Sequence, residues 1–437
     1  MADTKGVMKA VIYGAGNIGR GFIGQIFSES GYEVIFIDVA EDVVKALNNE
    51  HRYPVRILSD DDRHRDIWIE GVSAVDGRNE EEAAEAIACA DIMATAVGVR
   101  VLPFIAPVIA KGVKRRFAGF IGMPNGVPDN GQKSGKIPGP LNIIICENLI
   151  DANKELERLI ANHLGEDEKE FFNAHVGLVE ASIGRMVPLQ TEEMRDGNPL
   201  RICTEAYGFL PVDKAAFKGE IPSFAGMHPL SNFDFYIQRK LFIHNMGHAI
   251  CAYLGMLRGD TYIYETARCS SILFIAQNAM MESALALSSR YGMPLAELQL
   301  HIRDLLRRFS NKALGDTCAR VGADVKRKLG NRDRLIGALL LCGEEGVSPA
   351  FISAGISAAI YCLIREEGAT QSREAARAVL RDVSSLIEDS ALTEEVLSFH
   401  AILASILPPS ALPGGDSGAV FEGLVQKIIG KQGFIGL

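Results

Sequence analysis

The chain has 437 residues, of which 48% are hydrophobic and 23% are charged, a composition typical of a globular protein rather than a disordered or fibrous one. Its 45 Lys and Arg are outnumbered by 55 Asp and Glu, so the net charge is −10 and we expect no nucleic-acid partner and no attraction to anionic membranes. The absence of a secretory signal pattern and of apolar runs near the ~20 residues of a membrane helix predicts a cytoplasmic protein.

The first part of the chain alternates short β-rich runs with stretches in which apolar residues recur at helical spacing. The β-rich runs are Lys9–Tyr13, Glu33–Asp38, Ile92–Val97, Phe117–Ile121 and Asn142–Cys146. Further strands are expected within Glu170–Val179 and Leu200–Tyr207. Strands that alternate with helices predict an α/β domain with a doubly wound, mostly parallel sheet and helices on both faces.

From about residue 235 onward the pattern is almost entirely helical. The clearest predicted helices are Ile272–Tyr291, Leu295–Phe309, Arg373–Glu388 and Thr393–Ile406. We therefore expect an α/β domain over residues 1–230 and an all-α domain over residues 231–437. The Pro- and Gly-rich segment Pro408–Gly418 predicts a surface loop between the last helices.

A glycine-rich turn follows the first predicted strand and opens a helix. Its sequence is Gly14-Ala15-Gly16-Asn17-Ile18-Gly19, a G-x-G-x-x-G pattern in the strand–turn–helix context that binds dinucleotides. Gly14 permits the tight turn, Gly16 lets the backbone approach a pyrophosphate, and Gly19 lets the helix pack close to the strand. The pattern predicts a Rossmann-type cofactor site formed by residues 14–19.

Two further positions are predicted to contact the cofactor. Asp38 ends the second strand, nineteen residues beyond Gly19, where a carboxylate binds the ribose hydroxyls and repels a 2′-phosphate. Val39 and Ala40 offer no cation for such a phosphate, so NAD is favoured over NADP. Gly98 follows another buried strand and either lets the chain pass close to the cofactor or simply ends that strand.

Three polar residues recur on one predicted helix at the start of the helical half. Lys240, Asn245 and His248 fall within an arc of roughly 140° on an ideal α-helix, so they could converge on one small molecule. His244 and His248 have the i, i+4 spacing of zinc ligands, but Asn245 stands where H-E-x-x-H has glutamate, and no third ligand is evident. We therefore predict no metal site.

The sequence resembles the polyol-specific long-chain dehydrogenases, and within them the mannitol-1-phosphate 5-dehydrogenases. The matching stretches are GAGNIGRGFIG at 14–24, PLNIIICENL at 140–149, RKLFIHNMGHAICAYLG at 239–255 and RVGADVKRKLGNRDRL at 320–335. The K-x-x-x-x-N-x-x-H pattern together with the CENL segment is specific to this family. The resemblance implies a Rossmann domain, an α-helical domain and NAD-dependent hydride transfer in the cleft between them, often in a monomer.

The resemblance also implies a role for each site residue. Lys240 is the expected general base, Asn148 and Asn245 are the amides that bind the oxyanion, and His248 positions the substrate hydroxyl. The family's substrate-binding positions match Arg320 and Lys328. Lys240 must be neutral to accept a proton, so its pKa has to fall below the free value near 10.4, and burial, Arg320, Lys328 and the nicotinamide charge all act in that direction.

The implied reaction interconverts two small molecules, D-mannitol 1-phosphate and D-fructose 6-phosphate. The basic residues between 320 and 334 suit the phosphate of these substrates, and Arg327, Arg332 and Arg334 are further candidates for binding it. Two departures leave the substrate open: Gly184 stands where the family has aspartate, and Ala323 follows R-V-G where it has arginine. The alternatives are a related oxidoreductase of free mannitol and fructose, tagaturonate or fructuronate, and a non-catalytic NAD-binding sensor.

Overall fold

The structure, a computed structural model, describes residues 7–60, 63–121, 139–386, 390–407 and 417–431. The chain divides into two compact units, one up to Phe233 and the second from Asp234 onward. Among the described residues, no helix combines the length and apolar character needed to cross a membrane.

The first unit is built on a six-stranded parallel sheet with the order β5-β2-β1-β6-β7-β8. Its strands are β1 (Lys9–Tyr13), β2 (Glu33–Asp38), β5 (Val72–Asp76), β6 (Ile92–Thr95), β7 (Leu141–Ile145) and β8 (Val176–Glu180). Smaller sheets contain β3 (Arg52–Ile57), β4 (Arg65–Glu70) and β9 (Ile202–Thr204), and β10 (Leu210–Asp213) with β11 (Met227–Leu230). The predicted parallel α/β domain is confirmed.

Helices cover both faces of this sheet, which explains why its strands are apolar along their whole length. In β1, Ala10 and Ile12 pack on one face of the sheet, whereas Val11 and Tyr13 pack on the other. The helices of this unit are α1 (Gly24–Glu29), α2 (Glu41–Glu50), α3 (Glu80–Ala88), α4 (Leu102–Ile121), α5 (Ala152–Ala161), α6 (Glu166–His175) and α7 (Glu192–Arg195). A π-helical turn, Gly19–Ile23, precedes α1.

One strand prediction in this unit is wrong, and a second is only partly right. Phe117–Ile121 is the last turn of α4, where the rings of Phe117 and Phe120 pack on Phe171 of α6 at 5.6 and 5.4 Å between centroids. Most of Glu170–Val179 is helical, because α6 continues to His175 and β8 begins only at Val176. Short apolar runs bury equally well in either conformation, so their tertiary partners decide between helix and strand.

In the described residues of the second unit, the secondary structure is helical apart from one isolated bridge between Tyr262 and Thr317, which confirms the predicted helical fold. Its helices begin with α8 (Phe233–Arg239), whose first residue closes the first unit, and a π-helical turn, Lys240–Asn245. They continue with α9 (Met246–Arg258), α10 (Ile263–Thr266), α11 (Ser270–Tyr291), α12 (Leu295–Phe309), α13 (Cys318–Gly322), α14 (Val325–Lys328), α15 (Ile336–Glu344), α16 (Ala350–Glu366), α17 (Arg373–Asp382), α18 (Ala391–Ile406) and α19 (Ser417–Lys431). The predicted loop 408–418 lies outside the described residues except for its last two, which begin α19.

The helical unit is organised around α16, which is buried from Ala350 to Ile364. A helix that is apolar on all sides needs neighbours on all sides, and α9, α11 and α18 supply them. Gly355 allows the close approach of α9, because a Cβ at this position would collide with the side chain of Ile250. This packing holds α9, and the π-helical turn that precedes it, in a fixed place within the unit.

Candidate functional site

The glycine turn lies where the strand order of the main sheet reverses, between β1 and β6. In open α/β sheets, ligands bind at the carboxyl ends of the strands at such a point. Gly14 has φ +103°, and a Cβ on it would lie 2.5 Å from the carbonyl oxygen of Ala96, so the chain itself requires glycine there. A Cβ on Gly19 would collide with the carbonyl oxygen of Gly14. These two glycines are therefore needed to form the turn.

Gly16 differs from its two neighbours, because an added Cβ would meet no atom within 4 Å. The contacts of Gly16 within the described protein therefore do not require glycine at this exposed position. A site where the backbone approaches a bound pyrophosphate does require it, because a side chain would fill the space for the phosphate. Asn17 donates from Nδ2 to the carbonyl of Pro188 at 3.4 Å, and Ile18 packs against the core beneath the turn. The residues present therefore fit a dinucleotide phosphate.

Asp38 connects the end of β2 to the glycine turn. Its Oδ2 accepts a hydrogen bond from the Ala15 N–H at 2.6 Å, and its Oδ1 accepts one from the Ala40 N–H at 2.9 Å, at the start of α2. Each carboxylate oxygen has two lone pairs, so these bonds leave acceptor capacity for ribose hydroxyls. Asp38 thus has a structural role in addition to the cofactor contact predicted from the sequence.

Arg20 is a residue of this site that the sequence analysis missed. Its side chain is buried, its Nε donates to the carbonyl of Ala15 at 2.6 Å, and Nη1 donates to the carbonyl of Leu200 at 2.6 Å. A buried guanidinium therefore lies against the glycine turn, where its positive charge favours an anionic ligand. The only signal in the sequence is its place directly after Gly19.

Glu147 was also missed, although it stands beside the predicted oxyanion residue Asn148. The buried carboxylate of Glu147 accepts from Thr95 Oγ1 at 2.6 Å and from the Val97 N–H at 3.1 Å, which joins the segment after β7 to the segment after β6. Burial raises the pKa of Glu147, although these hydrogen bonds oppose the shift. Gly98 (φ +88°) and the exposed Asn148 follow the two joined segments.

We predict that Glu147→Ala destabilises the protein by about 1–3 kcal/mol, because the Thr95 hydroxyl and the Val97 N–H lose their buried acceptor. Chemical denaturation measures the change. Glu155→Ala is the control, because the Glu155 side chain forms an exposed ion pair with Arg158, and its loss should change stability by under about 0.5 kcal/mol. Equal denaturation midpoints for wild type and Glu147→Ala would contradict the assigned role.

Gly184, the departure from the family pattern, lies beside the ring of Tyr207. A Cβ on Gly184 would lie 2.9 Å from Cε1 of that ring, so the aromatic side chain occupies the space that a larger residue at 184 would need. The neighbouring Arg185 donates to the carbonyl of Tyr207 at 2.5 Å and stacks on Phe22. A larger residue at position 184 would therefore require the Tyr207 ring to move or to be replaced by a smaller side chain.

In the second unit, Lys240 and Asn245 are the first and last residues of the π-helical turn. The N–H of Met246 bonds to the carbonyl of Leu241, five residues earlier. In a π-helical turn, two residues that are five positions apart are separated by about one full turn. Lys240 and Asn245 therefore lie more nearly on the same side of the helix than they would in an ideal α-helix. His248 follows three residues later in α9, so the three share one side of a continuous helix.

The neighbouring His244 is buried next to other basic side chains. Burial lowers the pKa of His244 well below its usual value, and the charge of Arg308 lowers it further. The ring centroids of His244 and His248 are 6.3 Å apart. Across the described parts of the chain, no three His, Cys, Asp or Glu side chains are grouped closely enough to hold a metal ion.

Asp316 connects two of the predicted site residues and was itself missed. Its Oδ2 lies 3.3 Å from His248 Nε2, and its Oδ1 accepts from Arg320 Nε at 2.7 Å. Burial acts to raise the pKa of Asp316, but the contact with His248 and the charge of Arg320 outweigh it, so the pKa is lowered. The arrangement keeps an ionised carboxylate between an imidazole and a guanidinium that remains 41% exposed.

The other basic residues of this region have partners of different kinds. Lys328 is buried, and its ammonium donates to the carbonyls of Val321 and Ala323. Burial, with help from Arg334 and Arg327, lowers the pKa of Lys328 to about 8. Arg327 and Arg334 each pair with Asp333 at 2.8 Å. Arg320 therefore combines an exposed guanidinium with a link to His248.

Comparison with known proteins covers both units. A model of the mannitol dehydrogenase Rossmann domain matches residues 8–123 and 129–226, and one of the mannitol dehydrogenase C-terminal domain matches residues 232–408. The fold is similar to that of Pseudomonas fluorescens mannitol 2-dehydrogenase in a ternary complex with NAD and D-mannitol, with a TM-score of 0.71 and 14% identity over 98% of this chain and 95% of that one. A D-sorbitol dehydrogenase in substrate-free form has a TM-score of 0.69 and 14% identity over 93% and 96% of the two chains. The predicted family is confirmed: the chain belongs to the mannitol dehydrogenase family of oxidoreductases.

Proposed function

We propose that the protein is an NAD-dependent dehydrogenase that interconverts D-mannitol 1-phosphate and D-fructose 6-phosphate without a metal ion. The observation that carries the proposal is the link through Asp316 between His248, in the K-x-x-x-x-N-x-x-H pattern, and the exposed guanidinium of Arg320. A guanidinium pairs well with phosphate, so an anion site would lie beside the polar groups that the reaction needs.

The residues of the first unit support NAD as the cofactor. Backbone N–H groups of the turn from Gly14 to Gly19 would hold the pyrophosphate, and Asp38 would bind the ribose hydroxyls. The carboxylate of Asp38 would also repel the 2′-phosphate of NADP. When bound, NAD+ supplies the hydride acceptor for alcohol oxidation.

In the proposed reaction, Lys240 accepts the proton of the substrate hydroxyl. It does so in its neutral form, and in reduction the protonated lysine returns the proton to the carbonyl oxygen. Asn148 and Asn245 would donate hydrogen bonds to the oxygen on which negative charge develops, and His248 would hold the hydroxyl in place. Loss of one such donor commonly lowers the rate by ~10²–10³.

A second candidate function is the oxidation of a free hexitol or the reduction of a hexuronate. Gly184 and Ala323 favour it, because both depart from the family pattern, and position 184 is expected to lie near the substrate channel. Mannitol 2-dehydrogenase, whose fold this chain shares, holds unphosphorylated D-mannitol in its ternary complex.

A panel of substrates separates the two candidates. We expect NADH oxidation with fructose 6-phosphate to exceed that with fructose, tagaturonate or fructuronate by roughly 10²-fold or more in kcat/KM, because a site with a buried or paired cation rejects analogues that lack the anion. NADPH in place of NADH is the cofactor control and should support little turnover. Preference for an unphosphorylated substrate would overturn the phosphate assignment, and NADH binding without turnover on any member would indicate a sensor.

A further inference from the structure

Asp316 makes two different contacts with its two carboxylate oxygens. Oδ2 faces Nε2 of His248 at 3.3 Å, whereas Oδ1 receives Nε of Arg320 at 2.7 Å. The side chain is 9% exposed, so neither contact is a freely hydrated surface pair. A nearly buried carboxylate with two separate partners restrains the orientation of both.

The backbone around Asp316 is held in place by a short antiparallel bridge. The Asp316 carbonyl accepts from the Ile263 N–H at 2.9 Å, the Cys318 N–H bonds to the carbonyl of Thr261 at 2.9 Å, and Tyr262 pairs with Thr317. The carboxylate is therefore attached to a segment that is tied to α10 and to the start of α13. A carboxylate supported in this way can orient its partners rather than follow them.

The ring of His248 is restrained from a second direction. It stacks on the ring of Phe309, with 4.7 Å between the centroids and 11° between the planes. Stacking sets the plane of the imidazole, and the contact with Asp316 sets which nitrogen faces the carboxylate. Together they restrain the position of the ring beside the carboxylate.

We propose that Asp316 is a positioning residue that keeps the proton of neutral His248 on Nε2, so that Nδ1 acts as a hydrogen-bond acceptor for the substrate hydroxyl. The 3.3 Å contact lies outside hydrogen-bond geometry, but an ionised carboxylate at this distance repels a lone pair, so the nitrogen beside it carries the proton and the other nitrogen keeps its lone pair. Through its second oxygen, the same residue holds Arg320 at a fixed place next to this histidine. The inference rests on the proposed function, because it assigns His248 a substrate contact.

The first test reads the tautomer in the wild-type protein, with no substitution at Asp316. The ¹⁵N shifts of histidine-labelled protein report which ring nitrogen is protonated, and comparison with His248→Gln assigns the signals. We expect a pyrrole-type shift at Nε2 and a pyridine-type shift at Nδ1 of His248. A pyridine-type shift at Nε2, or pyrrole-type shifts at both nitrogens at the pH of turnover, would overturn the proposal.

The second test is Asp316→Asn, which keeps the size of the side chain but offers an N–H to Nε2 and so reverses the tautomer. We expect kcat/KM to fall roughly 10²-fold, comparable to the loss of one hydrogen bond to the reacting oxygen, with the Kd for NADH unchanged. Asp260→Asn is the matched control: Asp260 is 11% exposed, pairs with Arg258 and accepts a hydrogen bond from Thr266 Oγ1, and among the described residues it forms no ion pair or hydrogen bond with a histidine. It should lower thermal stability by a similar amount without changing kcat/KM.

The outcomes distinguish this inference from the proposed function. Unchanged kcat/KM in Asp316→Asn, or an equal loss in Asp260→Asn, would remove the positioning role while leaving the dehydrogenase assignment intact. Wild-type protein that turns over no substrate of the panel would remove the proposed function. The ¹⁵N measurement needs no turnover and therefore still tests the tautomer in that case.

Discussion

Replacement of Lys240 by alanine is expected to remove nearly all turnover while leaving NADH binding unchanged. The neutral amine is the proposed proton acceptor, and a positioned acid–base group typically contributes about 10²–10⁴-fold to the rate. The substitution leaves the glycine turn and Asp38, the residues proposed to hold the pyrophosphate and the ribose, unchanged, so we expect NADH affinity to persist. Steady-state kinetics and a fluorescence titration with NADH measure the two quantities separately.

Two comparisons make the Lys240 result specific. Lys427→Ala removes an exposed lysine from α19 of the same unit and should leave kcat unchanged. Small primary amines added to Lys240→Ala should restore part of the activity, because they supply the missing base in solution. Wild-type turnover in Lys240→Ala would refute the assignment of the general base.

Replacement of Gly16 by alanine is expected to weaken NADH binding by about 10–100-fold without loss of stability. The new methyl group meets no protein atom within 4 Å, so the folded chain accommodates it. It would, however, occupy the place where the backbone has to approach the pyrophosphate. Calorimetric titration measures the Kd for NADH, and thermal denaturation of the cofactor-free protein measures stability.

Gly19→Ala provides the contrasting substitution in the same turn. Its Cβ would collide with the carbonyl oxygen of Gly14, so this variant should unfold at a lower temperature even without cofactor. A Gly16→Ala variant that binds NADH as tightly as wild type would show that the turn does not hold the pyrophosphate. A Gly16→Ala variant as unstable as Gly19→Ala would show instead that the turn needs glycine for its own packing.

Local patterns predicted the main sheet well and failed where a segment's environment decided its structure. β1 and β2 have the predicted bounds, because a buried parallel strand next to a glycine turn has a continuous apolar signal. The run Phe117–Ile121 was equally apolar, yet it forms the end of α4, where its aromatic rings find partners on α6. The π-helical turn at Lys240–Asn245 has no recognisable sequence signal, so the predicted spacing assumed an ideal α-helix.

The sequence by itself determined the parallel α/β unit, the helical unit and the glycine turn. It also identified Lys240, Asn245 and His248 as candidate site residues. Each of these features depends on residues that are close together in the chain. Only the tertiary structure revealed Glu147 and Asp316. Glu147 bonds to Thr95, 52 residues away, and Asp316, in the loop before α13, lies beside His248 of α9, 68 residues earlier in the chain. The role of a carboxylate depends on the hydrogen-bond donors that folding brings next to it. The chain has 55 Asp and Glu residues, and the neighbouring sequence does not distinguish the few carboxylates that orient a site from the others.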